Sequence, residues 1–450
     1  MPKSEFKSLI AEMAPQCIES SENCPANFPV VIEDAIVSVT AYVLGLGKDN
    51  TQMSLDDLVR RVYGKAVVAA KHVRCYVMLM DKYGYVTTAK QAEQKNRDAK
   101  HAEQKNQDAK TESDIQTGIG RLRTVLSQYV APAISMSACC WHRAFTGDRE
   151  SKKFIVRLLT ERAAVLLPQM MQVAQVPHGH RIVLDGECCD AKAAIFSCGH
   201  GARTALDSEL EETLMNKLGE FDVAHVHHLE NKALQRMVNE TPDGAFLIKT
   251  VDTDMLLINA QRCVDTDYPP NVRIGMSMSK KTMIGGTPAQ PGDLYYVDPH
   301  AIRAWADDLL RHTASGFMGL VEVFHFAGSD FNHDGVPGVG NLALMRDFLT
   351  WAVRNPAGLA SDFYKQRLQR EELRLTGVTN ASQRTLNLKR KCQHLQREAV
   401  HPIRRVHWVV HDYWSGVNQL SPLGQGYKAE HSDGKTQLCF AEYAGDLTGL

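Results

Sequence analysis

Short apolar runs of β type alternate along this chain with segments of helical period. VVI (30–32) precedes the helical SLDDLVRRVYGKAVVAAKHV, then come RCYVMLM (74–80), the helical Ser151–Val176, RIVL (181–184) and AFLIKT (245–250). A strand followed by a helix and a second strand returns the chain to the same end of the sheet. The pattern therefore predicts an α/β fold with a parallel sheet flanked by helices. Ser54 is the expected N-cap of the first connecting helix.

Acids sit at the ends of these runs or beside glycines. They are Asp34 in VVIEDAI, Asp81 in YVMLMDK, Glu187 and Asp190 in VLDGECCDAKAA, Asp252 and Asp254 in IKTVDTDMLLI, and Asp330 in AGSDFNHDGVPGVG. A lone Asp at such a place is most often an N-cap. Several on one sheet edge are different: carboxylates a few ångströms apart repel unless cations neutralise them. Parallel strands present their carboxyl ends on one side, where ligands bind. Hard divalent cations held through oxygen are the expected partners. Two Mg²⁺ about 3.5–4 Å apart suit in-line displacement at a phosphodiester.

Composition and motifs narrow the classes further. With 44% hydrophobic and 23% charged residues in 450, the chain reads as a globular protein able to bury a large core. No apolar run approaches the length of a membrane span, and MPKSEFKSLI lacks a signal-peptide core, so an intracellular protein is expected. The eleven cysteines are scattered and read as reduced thiols. His and Cys pairs such as Cys198/His200 lack zinc-finger spacing. No glycine-rich nucleotide loop is found. NHDG (332–335) lacks the acid that would close a calcium loop, and no G-x-S-x-G surrounds Ser329. The net charge is −1, yet eleven Lys/Arg face three Glu between 365 and 405, a net of +8. An acidic pocket beside a basic flank suits a polyanion.

Further expectations follow along the chain. Residues 1–20 predict an amphipathic helix carrying Phe6, Leu9, Ile10 and Met13. Residues 92–110 repeat AEQKN-x-DAK and cannot supply a core face. Helices are expected at Ile115–Val130, from Glu187 to Phe196, and within a polar insertion at 200–243. VRIGMSM and GDLYYVD predict a hairpin. Helices are also expected at Ala301–His312, Gly316–Phe326, Leu342–Val353 and about 382–400, then through VHWVVHDYW, before a weakly structured end.

Taken in order, these motifs resemble the flap endonuclease / XPG (Rad2) family of structure-specific 5′ nucleases over roughly residues 1–355. MPKSEFKSLIAEMAP resembles that family's N-terminal helix, VVIEDA and YVMLMDK its first two metal-binding strands, and GECCDAKAA its E-x-E-A-x-x-A-A helix. TVDTDMLL resembles its D-x-D segment, and GSDFNHDGVPGVG its last aspartate with the following duplex-gripping helix–turn–helix. The resemblance implies a PIN-like domain with a helical arch and a helix-hairpin-helix-type DNA-binding region. It implies that Asp34, Asp81, Glu187, Asp190, Asp252, Asp254 and Asp330 hold two Mg²⁺, for which Mn²⁺ can substitute. Lys90 and Arg97 would steer the scissile phosphate from the arch, and Gly338, Gly340, Lys389, Arg390 and Lys391 would contact DNA. The implied organisation is a nuclease half at 1–111 (arch segment about 82–111), a second half at 112–335 with the insertion at 200–243, and a helix–turn–helix and basic region at 336–450.

Departures mark a divergent member, with a viral source one reading. The second acidic pair is Glu187/Asp190 rather than E-x-E, although i,i+3 spacing keeps both on one helix face. Thr40 replaces a substrate-stacking aromatic, Pro2 stands where the family has Gly, and no sliding-clamp peptide is evident. The implied function is hydrolysis of 5′-flap or junction DNA in replication, repair or recombination, in the nucleus or at a site of viral replication, without a membrane partner. IRRVHWVVHDYWSGV is similar to a segment of 5′→3′ exoribonucleases, which makes RNA the alternative substrate, although Trp408, Tyr413 and Trp414 as a helix packing on the core is the simpler reading. A catalytically weak nucleic-acid-binding scaffold is the remaining alternative.

Overall fold

A computed structural model describes residues 3–20, 24, 26–35, 39, 42–43, 51–80, 135–146, 149–185, 194–197, 221–278, 282–290, 293–329, 332, 335–379, 381–415, 421–432 and 435–440. Its strands, in chain order, are β1 (Ile18–Ser20), β2 (Asn27–Asp34), β3 (Gln52–Ser54), β4 (Cys75–Leu79), β5 (Ser135–Ser137), β6 (Arg181–Asp185), β7 (Ala194–Ser197), β8 (Gly244–Lys249), β9 (Val272–Ser277), β10 (Met283–Ile284), β11 (Thr287–Pro288), β12 (Leu294–Val297), β13 (Tyr427–Ser432) and β14 (Lys435–Phe440).

Eight of them form one mixed sheet in the order β1–β12–β9–β8–β2–β4–β6–β7. The central five, β9, β8, β2, β4 and β6, run parallel. Antiparallel β12 and β1 extend one side and β7 closes the other. The period-two side-chain alternation of each strand divides two cores. Ile32, Val77, Val183 and Ile248 face helices Lys3–Met13, Asp254–Arg262 and Gly316–Phe326. Val31, Tyr76, Leu184 and Leu247 face helices Leu55–Ala69 and Arg149–Val173. The first of that second pair starts where expected. Ser54 Oγ accepts from Asp57 N at 3.1 Å while Asp57 Oδ2 accepts from Ser54 N at 3.3 Å, a reciprocal cap. β9 and β12 pair as the expected hairpin.

Five stretches differ from the sequence reading. The N-terminal helix ends at Met13, and Ile18–Ser20, expected within it, is β1, paired with β12. Ala194–Ser197 forms β7 and not the end of a helix, because Ile195 pairs with Val183 and seals the sheet beside β6. The stretch expected as a polar insertion contains helices Phe221–Glu230 and Lys232–Asn239, whose Phe221, Val226, Leu229, Leu234, Met237 and Val238 are buried. On Lys232–Asn239 the exposed Lys232 and Arg236 alternate with buried Ala233, Leu234, Met237 and Val238, an apolar stripe within a polar average. A further helix, Ala360–Thr376, packs against the basic helix Gln383–Arg397, where Gln393 and Gln396 each donate to Glu372 at 2.8 Å, while its Phe363 and Tyr364 pack on Phe348 and Phe326. Beyond it, the end expected to be weakly structured carries the β13–β14 hairpin. The aromatic segment is an α-helix, Val400–Trp408, that widens into a π-turn over Val409–Tyr413. Trp408, Tyr413 and Trp414 are buried there, as a helix packing on the core requires. The repeat at 92–110 and the helix expected at Ile115–Val130 lie outside the described residues. Among the described residues no helix is long and apolar enough to cross a membrane.

Candidate active site at the carboxyl edge of the sheet

From β2 the chain moves outward to β4 and then β6, and it later returns to β8 on the opposite side of β2 and continues to β9. The direction of strand succession thus reverses between β2 and β8. Connections leave the sheet in opposite directions at such a point and open a crevice at the carboxyl ends of the two strands. Asp34 is the last residue of β2 and is buried. Across the crevice, Thr250 Oγ1 accepts from Asp252 N at 3.0 Å, and Asp252 Oδ1 accepts from Asp254 N at 3.2 Å. This turn converts β8 into the helix Asp254–Arg262, whose first residue is the 1% exposed Asp254. A carboxylate is favoured at that helix terminus by the positive end of the backbone dipole.

The sequence reading did not single out Asp185, which the fold adds to this edge. The parallel register aligns Asp34, Leu79 and Asp185 in one row, so the two aspartates stand two strand spacings, about 10 Å, apart. Asp185 is buried and its Oδ2 lies 3.1 Å from His228 Nε2. The signal for it was visible, since it ends the run RIVLD as Asp34 ends VVIED. Met80 N donates to Asp185 O at 2.8 Å, so the chain leaves β4 alongside this residue.

Two cations border the crevice. Lys7, on the N-terminal helix, donates to Val251 O at 3.4 Å. Burial pulls its ammonium below the usual lysine range, against the opposing charge of Asp252. On the other face of the sheet, Tyr76 OH donates to Glu33 Oε2 at 2.7 Å and accepts from Lys249 Nζ at 3.2 Å. Burial, reinforced by the Glu33 charge, raises the Tyr76 phenol far above its ordinary value, so it stays protonated and donates. This trio ties Glu33 near the end of β2 and Lys249 at the end of β8 to Tyr76 within β4.

Of the residues expected to hold metal, the structure therefore brings Asp34, Asp252 and Asp254 to one crevice. Asp81, Glu187, Asp190 and Asp330 lie outside the described residues, as do Lys90 and Arg97. The described donors, with Asp185, are all oxygens on or beside a parallel edge, which suits Mg²⁺ or Mn²⁺ and not a soft ion. They do not close into one tight shell. Among the described residues, the group of three or more ligand side chains whose donor atoms all lie within 4.8 Å is Glu322, His407 and His411, elsewhere in the fold. Two ions about 3.5–4 Å apart, each keeping waters, span a wider set of carboxylates than one ion does.

Ser329 and Asn332 are held from the C-terminal side. Ser329 and Asn332 bond each other's backbone, N to O at 3.0 and 3.2 Å. His325 Nδ1 is 2.6 Å from Ser329 Oγ, and the Trp414 ring packs 4.5 Å from the His325 ring. The fully buried Arg405 donates to Asn332 Oδ1 at 3.3 Å and to Gly426 O at 3.1 Å. Of the residues expected to contact DNA, Gly338 lies beside the basic helix. Gly338 adopts φ +76°, and a Cβ on it would sit 3.6 Å from both Arg374 Nη2 and Leu388 Cδ1. That places the glycine turn against the helix of Lys389, Arg390 and Lys391, of which Arg390 and Lys391 are exposed. Gly340 caps the helix Asn341–Arg354 in extended backbone.

A scan against protein-family models matches none of them, and a search of curated proteins finds no match to this chain.

Proposed function

We propose that the chain is a divalent-metal-dependent phosphodiesterase of the structure-specific 5′-nuclease type, acting on flap or junction DNA. One observation carries the reading: Asp34 and the Asp252–Asp254 turn flank the crevice where strand succession reverses, between β2 and β8. Folds that bind nucleotides at this position place a glycine-rich turn there, so that backbone N–H groups meet a pyrophosphate. Here β2 ends in Glu33-Asp34, and its crevice repels an anion unless a cation intervenes.

In this reading Asp34, Asp81, Glu187, Asp190, Asp252, Asp254 and Asp330 hold two Mg²⁺. When bound, the pair supplies an activated water and neutralises charge on the attacked phosphate. Asp185 and His228 orient the edge from behind. Lys90 and Arg97 position the scissile phosphate, while the Gly338–Gly340 turn and Lys389, Arg390 and Lys391 hold duplex backbone. Water adds to the phosphodiester, and the products carry a 5′-phosphate and a 3′-hydroxyl.

The test is cleavage of a labelled 5′-flap DNA with and without Mg²⁺, beside nicked, bubble and single-stranded substrates. Asp252→Ala is expected to lower cleavage by on the order of 100-fold or more while flap binding persists. Undiminished cleavage by that variant ends the proposal. A second reading, an RNA-directed 5′→3′ exonuclease, draws on the aromatic segment Trp408–Trp414, whose Trp414 ring packs on His325, itself 2.6 Å from Ser329 Oγ. Matched 5′-phosphate RNA and DNA substrates separate the two by which is degraded faster.

A further inference from the structure

We propose that Glu322, His407 and His411 form a binding site for a borderline transition-metal ion of the Zn²⁺ class, with one coordination position open to an adjoining cavity. The site is separate from the sheet-edge carboxylates and stands whether or not those support nuclease chemistry. His407 and His411 are four positions apart, a spacing that puts two side chains on one helical face. The π-turn over Val409–Tyr413 begins between them, and such insertions re-aim side chains and recur at functional sites. The two imidazoles stand 4.3 Å apart, centroid to centroid, at 35°.

Glu322 reaches them from the helix Gly316–Phe326. Its Oε1 lies 2.9 Å from His411 Nε2 and 3.5 Å from His407 Nδ1. All three donor atoms fall within 4.8 Å of one another. A tetrahedral zinc ion with Zn–N and Zn–O distances of about 2.0–2.2 Å spaces its ligands by roughly 3.3–3.6 Å. The observed spacings straddle that range, so small side-chain rotations would seat the ion.

The donor set selects the metal. Two imidazoles and one carboxylate suit Zn²⁺, Co²⁺ or Ni²⁺, whereas Mg²⁺ prefers an all-oxygen shell. Three protein ligands leave a fourth position. It faces a cavity of about 430 Å³, whose wall includes Ser315, Met318, Gly319, Leu359 and Ile403 beside the three ligands. A small anion or water can therefore complete the shell from that side. The ion would also pin the helix Gly316–Phe326 to the C-terminal segment.

The experiment uses the full chain, stripped with chelator and titrated with Zn²⁺ by calorimetry, with Co²⁺ as the spectroscopic probe. Expected are one ion per chain at this site, visible Co²⁺ absorption bands of tetrahedral intensity, and a rise in unfolding temperature with Zn²⁺ but not Mg²⁺. His407 is 64% exposed, so His407→Asn should fold normally. It should weaken Zn²⁺ binding at least tenfold, and Glu322→Gln should do the same while preserving side-chain shape. Unchanged affinity and Co²⁺ spectrum in both variants, or no stoichiometric Zn²⁺ uptake by the unaltered chain, overturns the proposal and leaves the trio as an ion-pair cluster.

Discussion

His225 should make this protein lose stability as the pH falls from neutrality towards 5. Its imidazole is fully buried on the helix Phe221–Glu230, with Nδ1 2.9 Å from Phe221 O and Nε2 3.2 Å from Asn259 Oδ1. Burial disfavours the charged ring and takes it down to about 4 from an ordinary value of 6.5, although both hydrogen-bond acceptors pull the other way. The neutral form therefore belongs to the folded chain. Between pH 6.5 and 4 the unfolded chain binds a proton that the folded chain refuses, so stability is complete above 6.5 and drains away as pH drops. One pKa unit corresponds to about 1.4 kcal/mol, so the loss at pH 5 is roughly 2 kcal/mol. Urea unfolding at pH 7.5 and pH 5.0, followed by tryptophan fluorescence, measures it. His225→Gln keeps one amide donor in the same space and cannot titrate. Its stability should change about 2 kcal/mol less than that of the parent between the two pH values, at unchanged m. Equal pH dependence in the two proteins would show that His225 is hydrated, and that the helix bringing His228 to Asp185 is not seated on the sheet as described.

Two more perturbations test the frame around the crevice. A Cβ at position 335 would lie 2.7 Å from Ala327 O and 2.9 Å from Gly328 N, both backbone atoms. Gly335→Ala should cost about 1–3 kcal/mol in denaturant unfolding and, if the nuclease proposal holds, lower cleavage by displacing Ala327 and Gly328. Ser54→Ala removes the cap that starts the helix between β2 and β4. It should cost about 1 kcal/mol in the same assay and leave Mg²⁺-dependent cleavage unchanged.

Residues close in the chain carried much of the architecture. VVIED, RCYVMLMD, RIVLD and AFLIKT each combine β-branched or apolar runs with an abrupt polar end, and all four became parallel strands. Ser54 and Asp57 announce a helix start because the reciprocal cap needs only four residues. Averaging misled where burial depends on a face. The helix Lys232–Asn239 is polar on average, yet its apolar stripe of Ala233, Leu234, Met237 and Val238 enters the core. IFS, read as a helix end, became β7 because the edge of β6 was there to pair with it. At the site, Asp34, Asp252 and Asp254 were legible from their strand ends. Asp185 was equally visible but acquires meaning only when His228 arrives from another helix.

Side-chain period and turn chemistry are local, so the sequence alone determined the α/β alternation and the acids that terminate its strands. Strand order is decided by which faces bury together, and so tertiary structure alone placed β8 beside β2 and opened the crevice between Asp34 and the Asp252–Asp254 turn. Likewise Glu322 and His411, 89 positions apart, meet only because the apolar helix Gly316–Phe326 packs against the segment 400–413 and leaves these polar groups facing one another at the rim.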